Sequence, residues 1–324
     1  MKNIVKTNTS EKTKISFESE WLYHKKGSEW WYCTGYLTDE NNDLYSYQFT
    51  LVKPHIAVFK PFVLMLALTN FKTKKHYYVQ KIFLSKSKII INEKQVGVKD
   101  IVLFEKSKNG FKLKVNCDSF SCDLDLTAVK SPVWHCDNGI LKMGSNKTEE
   151  ETYYYSYTNL KTSGTITENN KSTVVKGKTW FDKQGGSFRL LKGRTHWEWF
   201  SLRFFDNEEI MLFAFPQNNY KDGTVIYKDG KYKRLTNYQI TPTKFTTAND
   251  MKFSCEWIIS IPDIKEKEYR IVPIMDGQLN IGYFELLAEV INKDNEKVGM
   301  CFVELLPGVY NKEFKIRLFE KQNK

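Results

Sequence analysis

The chain has 324 residues, enough to bury two substantial cores, so its length alone favours two domains. Hydrophobic and charged residues make up 41% and 27%, which is ordinary for a globular protein, whereas the aromatic content of 15% is high. The net charge of +11 comes from lysines spread along the whole chain rather than clustered, so no nucleic-acid site is predicted.

Several classes of protein are disfavoured because their sequence signals are missing. Residues 1–14 are polar and contain no apolar signal region, and no apolar run is long enough to span a membrane. The six cysteines form neither a C-x-x-C pair nor a cluster with zinc spacing. Nucleotide-binding glycine patterns and hydrolase motifs are also missing. We therefore expect a cytoplasmic protein with reduced thiols, no integral membrane segment, no metal and no cofactor.

Two similar tryptophan-rich segments mark the first predicted strand of each half. Glu29–Tyr32 lies near the start and Trp197–Phe200 near the middle, and an offset of 168 residues places Trp31 on Trp199. Each segment leads into an acidic turn and then into a second apolar strand. This weak internal repeat predicts two similar β-hairpins, each in its own domain.

Hydrophobic residues alternate with a period of two along most of the chain, which predicts half-buried strands. The clearest alternating segments are residues 45–51, 111–117, 122–128, 253–261 and 314–318. Predicted turns fall at residues 108–110, 221–223, 228–230 and 276–277. The polar stretch 161–176 is predicted to be a hairpin tip. No amphipathic helix of ordinary length is predicted, so the fold class is all-β, with a barrel or sandwich in each half.

The predicted domain boundary follows the glycine pair Gly185-Gly186 and precedes the second tryptophan segment. This position divides the chain into an N-terminal domain, 1–187, and a C-terminal domain, 188–324.

Six ordered motifs extend over most of the chain. They are E-W-W-Y-x-x-G-x-L at 29–37, Y-Y-S-Y-T-x-L at 154–160, G-x-x-W-x-D-x-Q-x-G at 177–186, W-x-W-F at 197–200, and two shorter glutamate motifs at 283–286 and 299–305. With these motifs the chain resembles the lipocalin-like hydratase family that includes carotenoid 1,2-hydratase, kievitone hydratase and AttH-type proteins. The resemblance implies two tandem lipocalin-like antiparallel β-barrel domains with a ligand space in or between them. Compared with the family, this chain lacks aromatic pocket residues, and their loss argues against a long polyene substrate.

Asp182 is the candidate catalytic residue. Hydration of an unactivated C=C bond needs a proton donor near neutral pH, and an apolar setting raises the pKa of a carboxylic acid. Asp182 follows Trp180 and Phe181 and precedes the glycine pair, and the resemblance places the family's proposed proton donor at this residue. The alternative is that Asp182 caps a turn by bonding backbone N–H groups.

Other residues of the motif segments are candidates for binding a substrate. Glu29 and Trp31 either line the pocket, or Trp31 fills the barrel floor while Glu29 pairs with a basic residue. Glu285 and Glu304 are interpreted as buried, paired barrel carboxylates rather than catalysts. The predicted substrate-binding set is Glu29, Trp31, Tyr155, Tyr157, Trp180, Gln184, His196, Trp197 and Trp199.

The favoured function is that of a cofactor-free hydro-lyase or isomerase acting on a hydrophobic, isoprenoid- or polyketide-like small molecule. The alternative is a non-catalytic lipocalin-like carrier of a similar hydrophobic ligand. A third hypothesis is a structural protein whose barrels are filled by their own aromatic side chains. A carrier needs only the pocket, whereas an enzyme also needs a poised acid inside it.

Overall fold

The structure is a computed structural model. It describes residues 15–55, 61–143, 150–188, 197–216, 219–248, 251–264, 267–280 and 283–306. The predicted strand at 314–318 and the candidate His196 lie outside the described residues.

The first sheet is built from residues 28–186 and contains 13 strands in the described part of the chain. Its strands are β1 (Ser28–Thr38), β2 (Leu44–Lys53), β3 (Phe62–Asn70), β4 (Lys75–Phe83), β5 (Ile89–Ile91), β6 (Gln95–Val98), β7 (Val102–Ser107), β8 (Gly110–Asn116), β9 (Phe120–Ala128), β10 (Val133–Trp134), β11 (Ile140–Lys142), β12 (Glu151–Glu168) and β13 (Lys171–Gly186). Their spatial order is β4-β3-β2-β1-β13-β12-β9-β8-β7-β6-β5, and β10 and β11 pair with β12. A five-residue helix, α1 (Phe17–Trp21), precedes the sheet, and a 3-10 turn, Lys86–Lys88, precedes β5.

The second sheet is built from residues 197–306 and contains ten described strands. They are β14 (Trp197–Phe204), β15 (Glu209–Phe215), β16 (Tyr220–Ile226), β17 (Tyr232–Leu235), β18 (Gln239–Ala248), β19 (Met251–Ser260), β20 (Glu268–Pro273), β21 (Leu279–Asn280), β22 (Tyr283–Ile291) and β23 (Lys297–Leu306). Their order is β17-β16-β15-β14-β23-β22-β20-β19-β18, and β21 pairs with β22. Both sheets are antiparallel and curl into half-barrels, so the predicted all-β architecture with two tandem units is confirmed. The boundary at residue 187 stays a prediction.

The two sheets share one strand order around their first strand. β1 lies between β2 and β13, and β14 lies between β15 and β23, so the two predicted hairpins are present. The offset of 168 residues, however, joins opposite faces, because Trp31 packs inside the first sheet whereas Trp199 packs between the sheets. An offset of 169 places Glu29 on Glu198 and makes the faces agree. A slip of one residue reverses every side chain of a strand, which explains the error.

Successive side chains of each strand point to opposite faces of its sheet, and three hydrophobic cores result. The first core is enclosed by the first sheet and contains Trp31 and Phe181, and the second core is enclosed by the second sheet and contains Phe200. The third, which we name the intersheet core, joins the opposite faces of the two sheets and contains Trp180 and Trp199. Each central strand therefore buries both of its faces, one in its own core and one against the other sheet.

One predicted turn is wrong and one predicted hairpin is confirmed. Residues 221–223 lie within β16, because Asp222 is buried and its Oδ2 accepts a hydrogen bond of 2.6 Å from Nη2 of Arg234 on β17. The polar stretch 161–176 does belong to a hairpin, formed by β12 and β13. Its tip residues Asn169 and Asn170 have φ angles of 50° and 60°, the left-handed region that asparagine tolerates.

Polar side chains also join the two sheets. Lys130 Nζ donates to Glu209 Oε2 at 2.6 Å, and both side chains are buried. On another part of the interface, Gln48 Nε2 donates to the Tyr283 hydroxyl at 2.6 Å. No helix in the described residues is long and apolar enough to cross a membrane.

Candidate active site

Strand β13 carries the candidate acid on the face that packs against the second sheet. Trp180 lies in the intersheet core and Phe181 in the first core, so Asp182 shares the intersheet face with Trp180. The Cα partners of Asp182 are Tyr32 on β1 and Ser156 on β12. The carboxyl group is therefore held at the centre of a continuous sheet rather than in a loop.

Three donors surround the Asp182 carboxyl, whose residue is only 4% exposed. Trp180 Nε1 donates to Oδ1 at 2.5 Å, and the Ser156 hydroxyl also donates to Oδ1. The Tyr154 hydroxyl donates to Oδ2 at 3.0 Å. All of these partners belong to the intersheet face, and none is a backbone N–H group. Among the described residues, the hydrogen bonds of Asp182 therefore do not support the alternative role of a turn cap.

Burial raises the pKa of Asp182 from the usual 3.8 to about 7. The hydrogen bonds from Ser156, Trp180 and Tyr154 oppose this rise because they favour the ionised form, and Arg203 acts in the same direction. A carboxyl group in this balance is partly protonated at neutral pH, which is the condition for a general acid.

A second layer of side chains orients the donors. His135 Nε2 lies 2.6 Å from the Ser156 hydroxyl, and burial lowers the pKa of His135 to about 3, so its ring is neutral. With Ser156 donating to Asp182, this nitrogen acts as the donor to Ser156. Trp199 Nε1 on β14 donates to the Tyr154 hydroxyl at 3.1 Å. The second sheet thus reaches the acid through Trp199.

A small apolar pocket of about 60 Å³ lies between the sheets beside Tyr32, the strand neighbour of Asp182. Trp30 and Trp197 form one part of its wall, with ring centroids 6.2 Å apart and planes inclined by 17°. Its lining residues are Trp30, Tyr32, Thr50, Val52, Met65, Trp197, Tyr283, Glu304 and Leu306. The pocket is thus mainly aromatic and aliphatic, with one carboxyl group.

Arg203 is a buried cation on the same face of β14. Its guanidinium donates to the backbone oxygen of Thr34 at 3.0 Å and to the Thr34 hydroxyl at 2.8 Å. Its guanidinium carbon lies 5.6 Å from the ring centroid of Trp180. In the described residues no carboxylate lies within ion-pair distance of Arg203, so its charge reaches Asp182 only over a longer distance.

Comparison with known families decides the identity. The AttH-like family model matches residues 8–308. The chain belongs to the AttH-like family. A comparison with curated proteins found no match.

Solved structures share the fold of this AttH-like protein. NE1406 of Nitrosomonas europaea, described as an AttH, is 20% identical with a TM-score of 0.81, over 93% of this chain and 98% of that one. Kievitone hydratase from Nectria haematococca is 18% identical with a TM-score of 0.71, over 93% and 95% of the two chains. CghA, solved with Sch210972, is 7% identical with a TM-score of 0.52, over 87% and 88%.

The structure divides the predicted site residues of the AttH-like protein into two groups. The group on the intersheet face is Trp180, Asp182, Gln184, Trp197 and Trp199. The group on the opposite face is Glu29, Trp31, Tyr155 and Tyr157. The second group does not reach Asp182, because successive residues of a strand point to opposite faces.

Glu29 belongs to a buried charge cluster. Its carboxylate lies 3.0 Å from Lys183 Nζ and 3.1 Å from Lys53 Nζ, and His24 Nδ1 lies 2.9 Å away. Although burial opposes it, these partners lower the pKa of Glu29 to about 2. Trp31 lies beside the cluster, with Lys183 Nζ 4.2 Å from its ring centroid. The pairing of Glu29 with basic residues is the structural alternative stated from the sequence.

Sequence reasoning missed several members of the site. They are Tyr32, Tyr154, Ser156, Arg203 and the pocket-facing carboxyl of Glu304. The signal for Tyr154 and Ser156 was present, because they alternate with Tyr155 and share the face of Asp182. Among the described residues, no group of three or more His, Cys, Asp or Glu side chains is arranged to hold a metal ion.

Proposed function

We propose that this AttH-like protein is a hydro-lyase or isomerase that protonates a C=C bond of a hydrophobic small molecule, with Asp182 as the acid. The observation that carries the proposal is the Asp182 carboxyl itself. It is buried among aromatic side chains, held by three donors, and has a pKa raised to about 7. A carrier has no need of such an acid.

Protonation by Asp182 would leave a carbocation on the neighbouring carbon. The ring faces of Trp180 and Trp199, whose centroids are 6.0 Å apart, and the nearby ring of Tyr32 provide negative electrostatic potential for that charge. Addition of water to the cation, with loss of one proton, gives an alcohol. Loss of a different proton instead gives an isomerised alkene, so both reactions start from the same step.

The composition of the pocket supports a neutral, apolar substrate. Val52, Met65 and Leu306 supply aliphatic surface, and none of the described residues that line the pocket is a cation that could hold an anionic group. Its volume of about 60 Å³ is below the roughly 300 Å³ of ordinary ligand sites. A substrate of isoprenoid or polyketide size would therefore require the side chains between the sheets to move apart.

The fold that the chain shares with kievitone hydratase favours the addition of water over isomerisation as the proposed reaction. This argument is by analogy, because one fold can carry many functions.

The substrate is best identified by native mass spectrometry of the purified protein, which would show a co-purifying small molecule. Compounds of that class, and a panel of isoprenoid and polyketide alkenes, are then incubated with the protein in heavy-oxygen water. Enzymatic hydration incorporates the heavy oxygen into the product.

The decisive comparison is between the wild type and Asp182→Asn. The amide retains the shape and an oxygen acceptor for Trp180, but it cannot donate the acidic proton. We expect turnover to fall by on the order of a hundredfold or more, the scale of general acid catalysis. The matched control is Asp125→Asn on β9, an exposed aspartate that forms a surface ion pair with Lys112 and should leave turnover unchanged.

Two results would contradict the proposal. Full activity in Asp182→Asn would remove Asp182 from the chemistry. A wild-type protein that retains a bound ligand but converts no member of its class would instead identify a carrier.

A further inference from the structure

Glu285 and Glu304 place a second pair of carboxyl groups at the intersheet pocket. They are Cα partners on β22 and β23, and both belong to the face that meets the first sheet. Sequence reasoning interpreted them as paired carboxylates of a barrel interior. Their position on the intersheet face, opposite Asp182, gives them a different chemical setting.

Glu304 is the member of the pair that lines the pocket. Its Oε1 accepts a hydrogen bond of 2.6 Å from Trp197 Nε1, and the residue is partly accessible. In the part of the chain that the structure describes, Glu304 receives no hydrogen bond from any other donor. One carboxyl oxygen is thus fixed by the pocket wall, while the other is left for a molecule inside the pocket.

Glu285 is more deeply buried and is held from the first sheet. The Tyr32 hydroxyl donates to its Oε1 at 2.5 Å, and its Oε2 has no hydrogen-bond partner in the described residues. Burial and the neighbouring Glu304 raise the pKa of Glu285 well above its usual value. Two neighbouring carboxyl groups in an apolar setting do not both ionise, so Glu285 stays protonated and Glu304, with a pKa of about 7, is the member of the pair that ionises near neutral pH.

We propose that Glu304 is the base that takes a proton from the water added to the substrate cation, so that the acid comes from one sheet and the base from the other. This inference rests on the proposed function. Asp182 gives its proton to one alkene carbon, and the electron pair of the double bond forms the new C–H bond. The water oxygen then bonds to the cationic carbon, and one water proton passes to Glu304.

The products of this step are an alcohol, an ionised Asp182 and a protonated Glu304. Return of one proton from Glu304 to Asp182 through solvent regenerates both groups, so atoms and charge balance. Dehydration follows the same path in reverse, with Glu304 giving its proton to the leaving hydroxyl. The pKa of Glu304, raised by burial to about 7, allows it to serve in either direction.

The other titratable groups facing Glu304 leave this assignment intact. Asp182 on β13 raises its pKa and is the partner acid. The tyrosines of the same face have pKa values raised by burial and stay neutral. Arg203 on β14 is held by Thr34, outside ion-pair distance. The groups that interact with Glu304 itself are Tyr32, Asp182, Tyr283 and Glu285, whereas Tyr78 and Arg203 interact with its partner Glu285.

The test measures two isotope signals from one reaction in doubly labelled water. Deuterium in the recovered alkene reports protonation by Asp182 and its reversal, and heavy oxygen in the alcohol reports water addition. In Glu304→Gln the amide oxygen still accepts from Trp197. We expect heavy-oxygen incorporation to fall by on the order of a hundredfold, while deuterium exchange into the alkene persists. Asp182→Asn should abolish both signals.

The possible outcomes separate this inference from the proposed function. Hydration at the wild-type rate in Glu304→Gln would overturn the inference and leave Asp182 in its role. Loss of both signals in a folded Glu304→Gln would also overturn it, because a pure base is not needed for exchange. A wild-type protein without either signal would overturn both proposals.

Trp197→Phe provides a second test, which still decides if Glu304→Gln fails to fold. Removing the indole donor takes away a hydrogen bond that favours the ionised carboxylate, so the pKa of Glu304 should rise. We expect the low-pH limb of the kcat/KM profile to move to higher pH. A limb that stays at the wild-type pH would overturn the role of Glu304.

Discussion

At the scale of single residues, the molecule buries two carboxylates in opposite ways. Glu29 is surrounded by cations that hold it ionised, and its pKa falls to about 2. Asp182 is surrounded by neutral donors, which do not outweigh burial, and its pKa rises to about 7. The two residues lie on the same sheet but on opposite faces. The first setting favours stability and the second favours proton transfer.

Replacing Glu29 by Gln should lower the free energy of unfolding by about 3–5 kcal/mol at neutral pH, because Lys53 and Lys183 lose their buried counter-charge. The contribution of the ionised Glu29 is fully present above its unfolded pKa of 4.5 and disappears as the pH falls through about 2. Urea unfolding at a series of pH values should show the two proteins converging over this window. A difference that persists unchanged at acid pH would contradict this account.

Asp182→Asn should be more stable than the wild type, and increasingly so at higher pH. The unfolded chain ionises this residue near pH 3.8, whereas the folded protein resists ionisation until about pH 7. The wild type therefore loses stability as the pH rises from about 4 to about 7, and an amide does not. Thermal midpoints of both proteins across this range measure the effect. A midpoint difference that does not depend on pH would show that Asp182 is ionised throughout.

At the scale of elements, the long β12–β13 hairpin brings Ser156 and Asp182 side by side. Its tip turns through Asn169 and Asn170, both with positive φ. Two successive left-handed residues are typical of the tight hairpin turns that match strand twist. The register of the hairpin, and with it the contact between Ser156 and Asp182, is therefore linked to a turn far from the site.

Asn170→Gly should preserve or slightly raise the thermal midpoint, since glycine adopts positive φ without steric cost. Asn170→Val should cost about 1–2 kcal/mol, the penalty of a left-handed conformation for a residue with a branched side chain. Denaturant unfolding of the two variants side by side checks this difference. Equal stability of the glycine and valine variants would contradict the turn geometry.

The alternation of hydrophobic residues in the sequence was sufficient to predict the strands and to predict which residues share a face of a strand. Tyr155 and Tyr157 do lie on one face, and Tyr154 and Ser156 on the other. Alternation alone does not show which face meets its own core and which meets the second sheet, since both faces are buried. For the same reason Trp31 was predicted in one substrate-binding set with Trp199, although the two side chains lie in different cores.

Local composition is not sufficient at two further positions. Asp222 and Gly223 have the composition of a turn, but a distant partner, Arg234, stabilises them within a strand. The interpretation of Glu304 as a buried carboxylate rather than a catalyst stays a prediction, because an acidic residue between apolar ones gives no indication of a pocket beside it. Both features depend on contacts between residues that belong to different strands.

At the scale of the whole molecule, the two sheets are joined by buried polar contacts as well as by the intersheet core. Lys130 and Glu209 form an ion pair across the interface, and Thr158 and Asn159 also donate to the carboxylate. Such an interface predicts that the two sheets unfold together in one cooperative transition.

Lys130→Ala should lower stability by about 3–5 kcal/mol because Glu209 is left buried without its cation. The double variant Lys130→Met with Glu209→Leu should recover most of that loss, since apolar residues of similar size often replace a buried pair at little cost. Differential scanning calorimetry provides both the midpoint and the number of transitions. Two separate transitions in the wild type would show that the sheets are independent.

The two sheets share one strand order, but corresponding positions in them carry different side chains. With β1 aligned on β14 by faces, Gln184 of the first sheet corresponds to Glu304 of the second, and Asp182 corresponds to Phe302. Two identical subunits around a shared cavity would have to present the same residue twice. Two similar sheets within one chain are free of that restriction. One sheet can carry an acid and the other a base, because their sequences change independently.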